Sequence, residues 1–110
     1  MAASRIEVFE QILQGDPANT AVLFGLAKEY EKAGDESKLV EVLERYLAAA
    51  DDEGNAYGML ARAYERMDRR DEACETYRRG MTAASAHGHP SMAEEYREIL
   101  ESEYSNGSQS

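Results

Sequence analysis

The chain has 110 residues, the length of one domain, and its 22 aspartates and glutamates outnumber 12 lysines and arginines for a net charge of −10. This charge argues against a binder of nucleic-acid phosphates and against docking on an anionic membrane, because both need a basic face. Hydrophobic residues make up 43%, no apolar run is long enough to span a membrane, and the start lacks an apolar leader. With a single cysteine, the sequence favours a cytoplasmic location.

Apolar residues recur at helical spacing along the chain and predict six helices, with no strand. The predicted helices cover residues 4–14, 20–33, 36–50, 53–67, 71–84 and 91–104. Gly34 ends the second helix and Asp35 caps the third, while Ser91 and Glu94 fit a capping box at the start of the last. We expect the polar residues 106–110 to form a disordered tail.

The sequence repeats itself at a fixed interval, which becomes visible when residue 20 is aligned with residue 54. Windows 20–53 and 54–87 share eight identities, at Leu26, Ala27, Tyr30, Glu31, Glu41, Arg45, Ala49 and Ala50. For such a composition, chance predicts about two or three. The same shift places Ile6, Phe9 and Leu13 over Val40, Leu43 and Leu47, so residues 4–17 correspond to the second half of an earlier repeat.

The repeat resembles the tetratricopeptide repeat family, whose 34-residue unit carries W-x2-L-G-x2-Y, then A-x3-F, then a proline. The first helices of the two repeats read Leu23-x2-Leu26-Ala27-x2-Tyr30 and Tyr57-x2-Leu60-Ala61-x2-Tyr64. The second helices read Leu39-x3-Leu43 and Ala73-x3-Tyr77. The fragment Met92-Ala93-x2-Tyr96 follows Leu60 at slightly less than the repeat interval, which favours a capping helix over residues 90–104.

The resemblance implies an all-α fold, a right-handed superhelix of antiparallel helix pairs that forms a single domain over residues 1–105. It also implies a non-catalytic module that binds a peptide or helix of a protein partner in a concave groove. The residues agree, because the sequence contains no glycine-rich phosphate loop, nucleophile elbow or Cys–His pair of known spacing. We therefore expect no enzyme activity and no cofactor.

Helical spacing places a second set of residues opposite the apolar stripe of each first helix, on the faces that should line the groove. Cations recur there at the repeat interval, because Lys28 and Lys32 align with Arg62 and Arg66. In an acidic protein these four cations predict a site for a carboxylate-bearing segment. The complete predicted peptide-binding set is Phe24, Gly25, Lys28, Lys32, Asn55, Gly58, Met59, Arg62 and Arg66.

A solvated face without a ligand is the alternative for these cations. Lys32 and Arg66 lie in the last turn of their helices, where the helix dipole stabilises positive charge by about 0.3–1 kcal/mol. Against this alternative, like charges four residues apart cost about 0.2–0.5 kcal/mol, and the chain makes that choice twice. The two glycines each cost about 1 kcal/mol inside a helix, and we expect them to leave room for close contact with the ligand.

Two further hypotheses come from other segments. Ile6, Phe9, Ile12 and Leu13 have no preceding partner helix, which predicts a partly uncovered face and a weak homodimer, so a self-assembling scaffold is the alternative function. His87 and His89 could share a metal ion with help from Cys74, but a structural zinc site needs four ligands. We therefore expect no metal site, and expect Cys74 and the repeated tyrosines to be core residues.

Overall fold

A computed structural model describes residues 4–104 of the chain. Its six α-helices are α1 Arg5–Gly15, α2 Thr20–Ala33, α3 Glu36–Ala49, α4 Asn55–Arg66, α5 Arg70–Ala86 and α6 Pro90–Ile99. The segment Leu100–Tyr104 continues α6 as a short π-helical turn, and no strand occurs within residues 4–104. The predicted all-α class is confirmed, and each helix lies within a few residues of its expected position. The expected tail, residues 106–110, lies outside the described residues.

Polar side chains begin the first three helices. The Ser4 hydroxyl accepts a hydrogen bond from the Glu7 amide while the Glu7 carboxylate accepts one from the Ser4 amide, which makes a capping box at α1. Asn19 and Asp35 each accept a hydrogen bond from an amide in the first turn of α2 and α3. The cap predicted at Asp35 is therefore present.

The start of α6 differs from the prediction. Pro90 opens the helix, where its fixed φ suits the first turn and its missing N–H costs nothing. The residue before it, His89, makes no side-chain capping bond. The expected capping box is wrong, because Ser91 already lies inside the helix and Glu94 pairs with Arg97 instead.

The turns that join the two helices of each pair share one backbone conformation. Gly34 has a φ of 74°, and Asp68, which holds the same position in the next repeat, has a φ of 60°. Aspartate tolerates this left-handed region better than most residues. The repeat thus keeps its turn although the glycine is absent from the second copy.

The chain folds as two compact units, of which the first ends at Asp51 and the second begins at Asp52. The first unit contains α1, α2 and α3, and the second contains α4, α5 and α6. The boundary lies close to the predicted repeat boundary between residues 53 and 54. The single domain expected over residues 1–105 stays a prediction.

In the first unit, α2 packs against both α1 and α3. Its core consists of Leu13 of α1 with Leu23, Leu26, Ala27, Tyr30, Leu39, Val40, Val42, Leu43 and Leu47 of α2 and α3. The half-buried rings of Phe24 in α2 and Tyr46 in α3 contact each other in a tilted arrangement, with their centroids 5.2 Å apart and their planes at 46°. The periodic leucines therefore form the core that their spacing predicted.

In the second unit, α5 packs against both α4 and α6. Tyr96 of α6 is 5% exposed, and its hydroxyl donates a hydrogen bond of 2.7 Å to the Gly54 carbonyl. A Cβ atom added at Gly58 would lie 2.6 Å from the Tyr96 hydroxyl, and one added at Gly80 would lie 3.0 Å from its ring. Glycine at both positions thus makes the space that Tyr96 fills.

Candidate functional site

The first part of the predicted site is the cationic pair of α2, Lys28 and Lys32, and both residues are exposed. The Lys32 ammonium lies 3.5 Å from the Glu29 carboxylate. The Lys28 ammonium lies 5.8 Å from the centre of the Phe24 ring, within the range of a cation–π interaction. Phe24 itself is half-buried against Tyr46, so it offers one part of its ring to solvent.

The second part is the cationic pair of α4, Arg62 and Arg66, which is also exposed. Asn55, at the start of the same helix, is exposed as well. Met59 is 8% exposed, so it does not lie on the open face where helical spacing placed it. The reason is that α4 is buried over a wide arc, which includes Ala56 and Ala63 as well as the predicted stripe.

The two glycines of the predicted site serve the fold of their own units. A Cβ atom at Gly25 would lie 3.2 Å from the ring of Phe9 in α1. The space beside Gly58 is taken by the Tyr96 hydroxyl, with the Arg62 guanidinium 3.2 Å from the position of an added Cβ. We expected these glycines to leave room for a ligand. That expectation is wrong where a glycine lacks its side chain, because Phe9 or Tyr96 already occupies the space.

The structure brings each cationic pair together along one helix. Lys28 and Lys32 belong to the first unit with Phe24 and Gly25, and Arg62 and Arg66 belong to the second. Each pair is one helical turn apart on one face of its helix. What the structure establishes at the predicted site is therefore two exposed cationic helix faces, one in each unit.

Sequence reasoning missed a cluster around Glu65 in the second unit. The Glu65 carboxylate accepts hydrogen bonds from the hydroxyls of Tyr77, at 3.1 Å, and Tyr104, at 2.6 Å. Burial and the neighbouring Glu65 carboxylate raise the pKa of both phenols well above their ordinary value. The Arg70 guanidinium lies 4.5 Å from the centre of the Tyr104 ring and donates to the Glu103 carbonyl.

This cluster borders a cavity of about 200 Å³ lined by Glu65, Asp68, Arg70 and Tyr104. Its contacts tie the end of α6 to the turn between α4 and α5. No sequence signal identified it, because Tyr104 lies beyond the part of the chain that repeats. Arg70 accordingly has a structural role, as has Arg69, whose guanidinium lies 4.9 Å from the centre of the buried Tyr64 ring.

The first unit has a larger cavity, of about 320 Å³, between α1, α2 and α3. Buried apolar residues, among them Leu26 and Val42, lie at its base, and charged residues, among them Lys38 and Arg45, lie at its rim. Inside it the Tyr30 hydroxyl donates a hydrogen bond to the Glu10 carboxylate. The buried base offers a ligand little apolar surface.

The apolar residues of α1 divide into two groups. Leu13 is buried, and Ile6 and Phe9 are half-buried, with Phe9 packed on Gly25 of α2. The large hydrophobic residues that are exposed within residues 4–104 are Val8, at 42%, and Ile12, at 41%. The uncovered face expected on this helix is therefore present but consists of Val8 and Ile12, and Phe9 is part of the packing between α1 and α2.

The histidine pair shows no metal-binding arrangement. Within residues 4–104, no three side chains of the ligating types lie close enough to hold an ion. The His89 imidazole contacts the Glu53 carboxylate, and Cys74 is only half-buried rather than a full core residue. None of the helices in that same stretch has the length and apolar character required to span a membrane.

Comparisons with known proteins address the fold. Residues 56–100, from the start of α4 to the end of α6, match the family model described as "Tetratricopeptide repeat". The crystal structure of MamA is similar over 94% of this chain and 89% of that one, with a TM-score of 0.50 and 19% sequence identity. At that identity the likeness shows the fold alone. No curated protein sequence matches the chain.

Proposed function

We propose that this chain, whose residues 56–100 match the tetratricopeptide repeat model, is a member of that family and a non-catalytic module that binds carboxylate-bearing segments of a protein partner. The family and the fold support a role in protein–protein interaction or as a scaffold. The finer assignment, a preference for carboxylates, rests on the cationic pairs of α2 and α4. The observation that carries it is that all four cations are exposed and recur at the repeat interval.

The charge pattern supports an attractive rather than a neutral face. Lys28 and Lys32 lie one helical turn apart, as do Arg62 and Arg66, so each face presents two like charges to a carboxylate. The overall charge of −10 makes these two faces local exceptions on an acidic protein. A guanidinium can bind a carboxylate in a bidentate manner, whereas an ammonium acts as a point charge. We therefore expect the α4 face of the second unit to orient a carboxylate, and the α2 face of the first unit to attract one without a fixed geometry.

The expected affinity is modest. The net negative charge of the protein repels an acidic partner at long range, which lowers the association rate. Exposed ion pairs are also screened, with a Debye length of about 8 Å at 0.15 M salt. We expect a dissociation constant in the micromolar range or higher, which corresponds to a binding free energy of about −8 kcal/mol or weaker. The affinity should fall further as the salt concentration is raised.

The test is a titration of the chain with a labelled peptide that has glutamate at every second position, followed by fluorescence anisotropy. The matched ligand carries glutamine at the same positions. Only the glutamate peptide should bind, and Arg62→Glu with Arg66→Glu should abolish its binding. Lys28→Glu with Lys32→Glu should weaken binding less, because lysine lacks the bidentate geometry.

The control must change the net charge equally without touching these faces. Arg69 and Arg70 do not serve, because their guanidinium groups pack on the rings of Tyr64 and Tyr104. Lys38→Glu with Arg78→Glu is suitable, since both side chains are exposed and lie on the second helices, α3 and α5. If this control lowers the affinity as much as the α4 variant does, binding reflects net charge alone and the proposal is wrong.

Self-assembly, the alternative function drawn from the sequence, stays a prediction. The exposed pair of Val8 and Ile12 is the surface that it would use. Copies that each carry a charge of −10 repel one another, and two partly exposed side chains bury far less than the roughly 1,200 Å² of a stable interface. The cytoplasmic location is likewise a prediction that localisation experiments test.

A further inference from the structure

In the second unit, α6 packs directly beside α4. A Cβ atom added at Gly58 of α4 or at Gly80 of α5 would meet Tyr96 of α6, so the Tyr96 ring touches both helices. The Tyr96 hydroxyl also donates a hydrogen bond to the Gly54 carbonyl, just before α4 begins. The exposed sides of α4 and α6 therefore adjoin each other at the Tyr96 contact.

Arg62, one of the two cations of α4, lies at this contact. Its guanidinium is 3.2 Å from the position of a Cβ atom at Gly58, and the Tyr96 hydroxyl approaches the same position to 2.6 Å. Burial raises the pKa of Tyr96, and the positive charge of Arg62 opposes that rise. A group bound to the Arg62 guanidinium therefore also meets α6.

The exposed charges of α6 have mostly the opposite sign. Its carboxylates are Glu94, Glu95 and Glu98, with Glu101 in the turn that follows. Arg97 pairs with Glu94 and Glu101, whereas Glu95 and Glu98 form no ion pair within residues 4–104. Because residues three apart are neighbours on a helix surface, Glu95 and Glu98 present two adjacent negative charges.

Glu95 lies near the same phenol as Arg62. After burial, which is the main cause, its carboxylate contributes to the raised pKa of Tyr96. Arg62 and Glu95 nevertheless form no ion pair with each other in the described part of the chain, so both charges remain available to a ligand. The second unit thus presents a cationic face on α4 and an anionic face on α6, side by side.

The distance between the two faces limits the ligand. Packed helices stand about 8–10 Å apart, and an extended segment advances about 3.3 Å per residue. A segment that crosses from α4 to α6 therefore reaches the anionic face about two to four residues after it leaves the cationic one.

We propose that the segment bound by the second unit carries charges of both signs in separate blocks, with acidic residues that pair with Arg62 and Arg66 and basic residues that pair with Glu95 and Glu98. This inference rests on the proposed function, because it takes the carboxylate site of α4 as its starting point. It adds that the partner segment is not uniformly acidic. The basic residues of such a segment also reduce the long-range repulsion from the net charge of −10.

Three labelled peptides with capped ends test the order of charges. The block probe has two glutamates followed by two lysines, with one alanine between successive charged residues. The alternating probe has the same composition, but glutamate and lysine take turns. The acidic probe has glutamine in place of both lysines. Binding to the 110-residue chain is measured by fluorescence anisotropy, and backbone amide shifts in NMR spectra locate the site.

We expect the block probe to bind at least threefold more tightly than the alternating probe and to shift amides of both α4 and α6. The two probes have the same net charge, so this difference reports the arrangement of charges and not the general field of an acidic protein. The acidic probe should bind through α4 alone.

Matched variants assign the difference to α6. Glu95→Gln with Glu98→Gln should remove the preference for the block probe and leave the acidic probe bound at least as tightly as before. Asp71→Asn with Glu75→Gln removes the same charge from exposed positions of α5 and should keep the preference. Circular dichroism should show equal helicity for both variants.

The outcomes separate this proposal from the function on which it rests. If the acidic probe binds but the block and alternating probes bind equally, the carboxylate site stands and the mixed-charge partner is wrong. A preference that survives Glu95→Gln with Glu98→Gln, or that is lost in the α5 control, also overturns it. If the acidic probe does not bind, the proposed function is wrong and the mixed-charge partner falls with it.

Discussion

The two units place different residues at the same two repeat positions. In the first unit these are Phe24 and Tyr46, whose tilted rings contact each other between α2 and α3. In the second unit they are Gly58 and Gly80, and Tyr96 from α6 fills the space that the missing side chains leave. In the first unit the two side chains of a helix pair contact each other. In the second unit the pair lacks these side chains, and a residue of a third helix takes their place.

The terminal helices of the two units differ accordingly. In the second unit, α6 inserts a buried tyrosine whose hydroxyl bonds to a backbone carbonyl. In the first unit, α1 buries Leu13 alone and is also held by polar contacts, from Glu10 to Tyr30 and from Arg5 to Glu29. In the second unit two glycines accommodate the buried Tyr96 ring, whereas in the first unit one glycine, Gly25, accommodates the half-buried Phe9 ring.

The largest effect is expected from Tyr96→Ala, which empties the space between Gly58 and Gly80. Removing a buried aromatic ring costs about 3–5 kcal/mol of unfolding free energy. Urea denaturation should show this loss, and amide hydrogen exchange should accelerate throughout α6. The matched change in the first unit, Phe24→Ala, should cost less because Phe24 is only half-buried. Equal losses for the two variants would contradict the proposed difference between the units.

A smaller effect is expected when a single methyl group is added to each unit. Gly58→Ala should destabilise the chain by about 1–3 kcal/mol, because the new atom would lie 2.6 Å from a hydroxyl that is fixed on the Gly54 carbonyl. Gly25→Ala meets the Phe9 ring at 3.2 Å, and the gain in helix propensity, about 1 kcal/mol, offsets that contact. Thermal denaturation of both variants compares the two units directly, and a larger loss for Gly25→Ala would reverse the ranking.

Alkaline pH should reveal the buried phenols of both units. Burial, followed by the Glu10 carboxylate, raises the pKa of Tyr30 to about 12, whereas an unfolded tyrosine titrates near 10. Because the folded state holds the proton more tightly, the stability from Tyr30 is complete below pH 10 and is lost as the pH rises through 12. Tyr30→Phe should flatten this decline in unfolding free energy.

The pKa values of Tyr77 and Tyr104 are raised as well, in part by the Glu65 carboxylate. Glu65→Gln removes that negative charge, so both phenols should ionise at lower pH. The absorbance of the phenolate, recorded as the pH is raised, measures this change.

The smallest effects are expected at exposed ion pairs. Arg97 contacts Glu94 and Glu101 on its own helix and the turn that follows it, so Arg97→Ala should leave the thermal midpoint unchanged within error. Arg5→Ala removes a contact between α1 and α2 and should accelerate amide exchange in α1 while the global midpoint barely moves. If Arg97→Ala accelerates amide exchange in α6 as much as Arg5→Ala does in α1, polar contacts hold both terminal helices. The expected difference between the two units would then be wrong.

Much of the fold follows from local sequence signals. The spacing of Leu23, Leu26 and Tyr30 determines which side of α2 is buried, and Gly34 with Asp35 determines where one helix ends and the next begins. These signals act within a few residues, so they can be found without knowledge of the fold. The start of α6 was missed because Pro90 began the helix before Ser91 could cap it.

The candidate site could be predicted only in part. Helical spacing correctly places Lys28, Lys32, Arg62 and Arg66 on exposed faces, because one buried stripe leaves the opposite side to solvent. Met59 does not follow this rule, since α4 is buried on more than one side. What surrounds a helix depends on its neighbours, and a wheel drawn for one helix contains no information about them.

The sequence by itself determined the repeat, the helices and the resemblance to the tetratricopeptide repeat family, because a fixed repeat interval and apolar spacing are properties of the chain written in order. Only the tertiary structure decided what the glycines do. Gly58 and Gly80 are far apart in sequence from Tyr96, yet all three meet at one contact. The same holds for α1, where spacing alone grouped Ile12 with Phe9 and Leu13 and did not indicate that Val8 is exposed. Whether an apolar residue is covered depends on which helix packs over it, and that is a property of the folded chain.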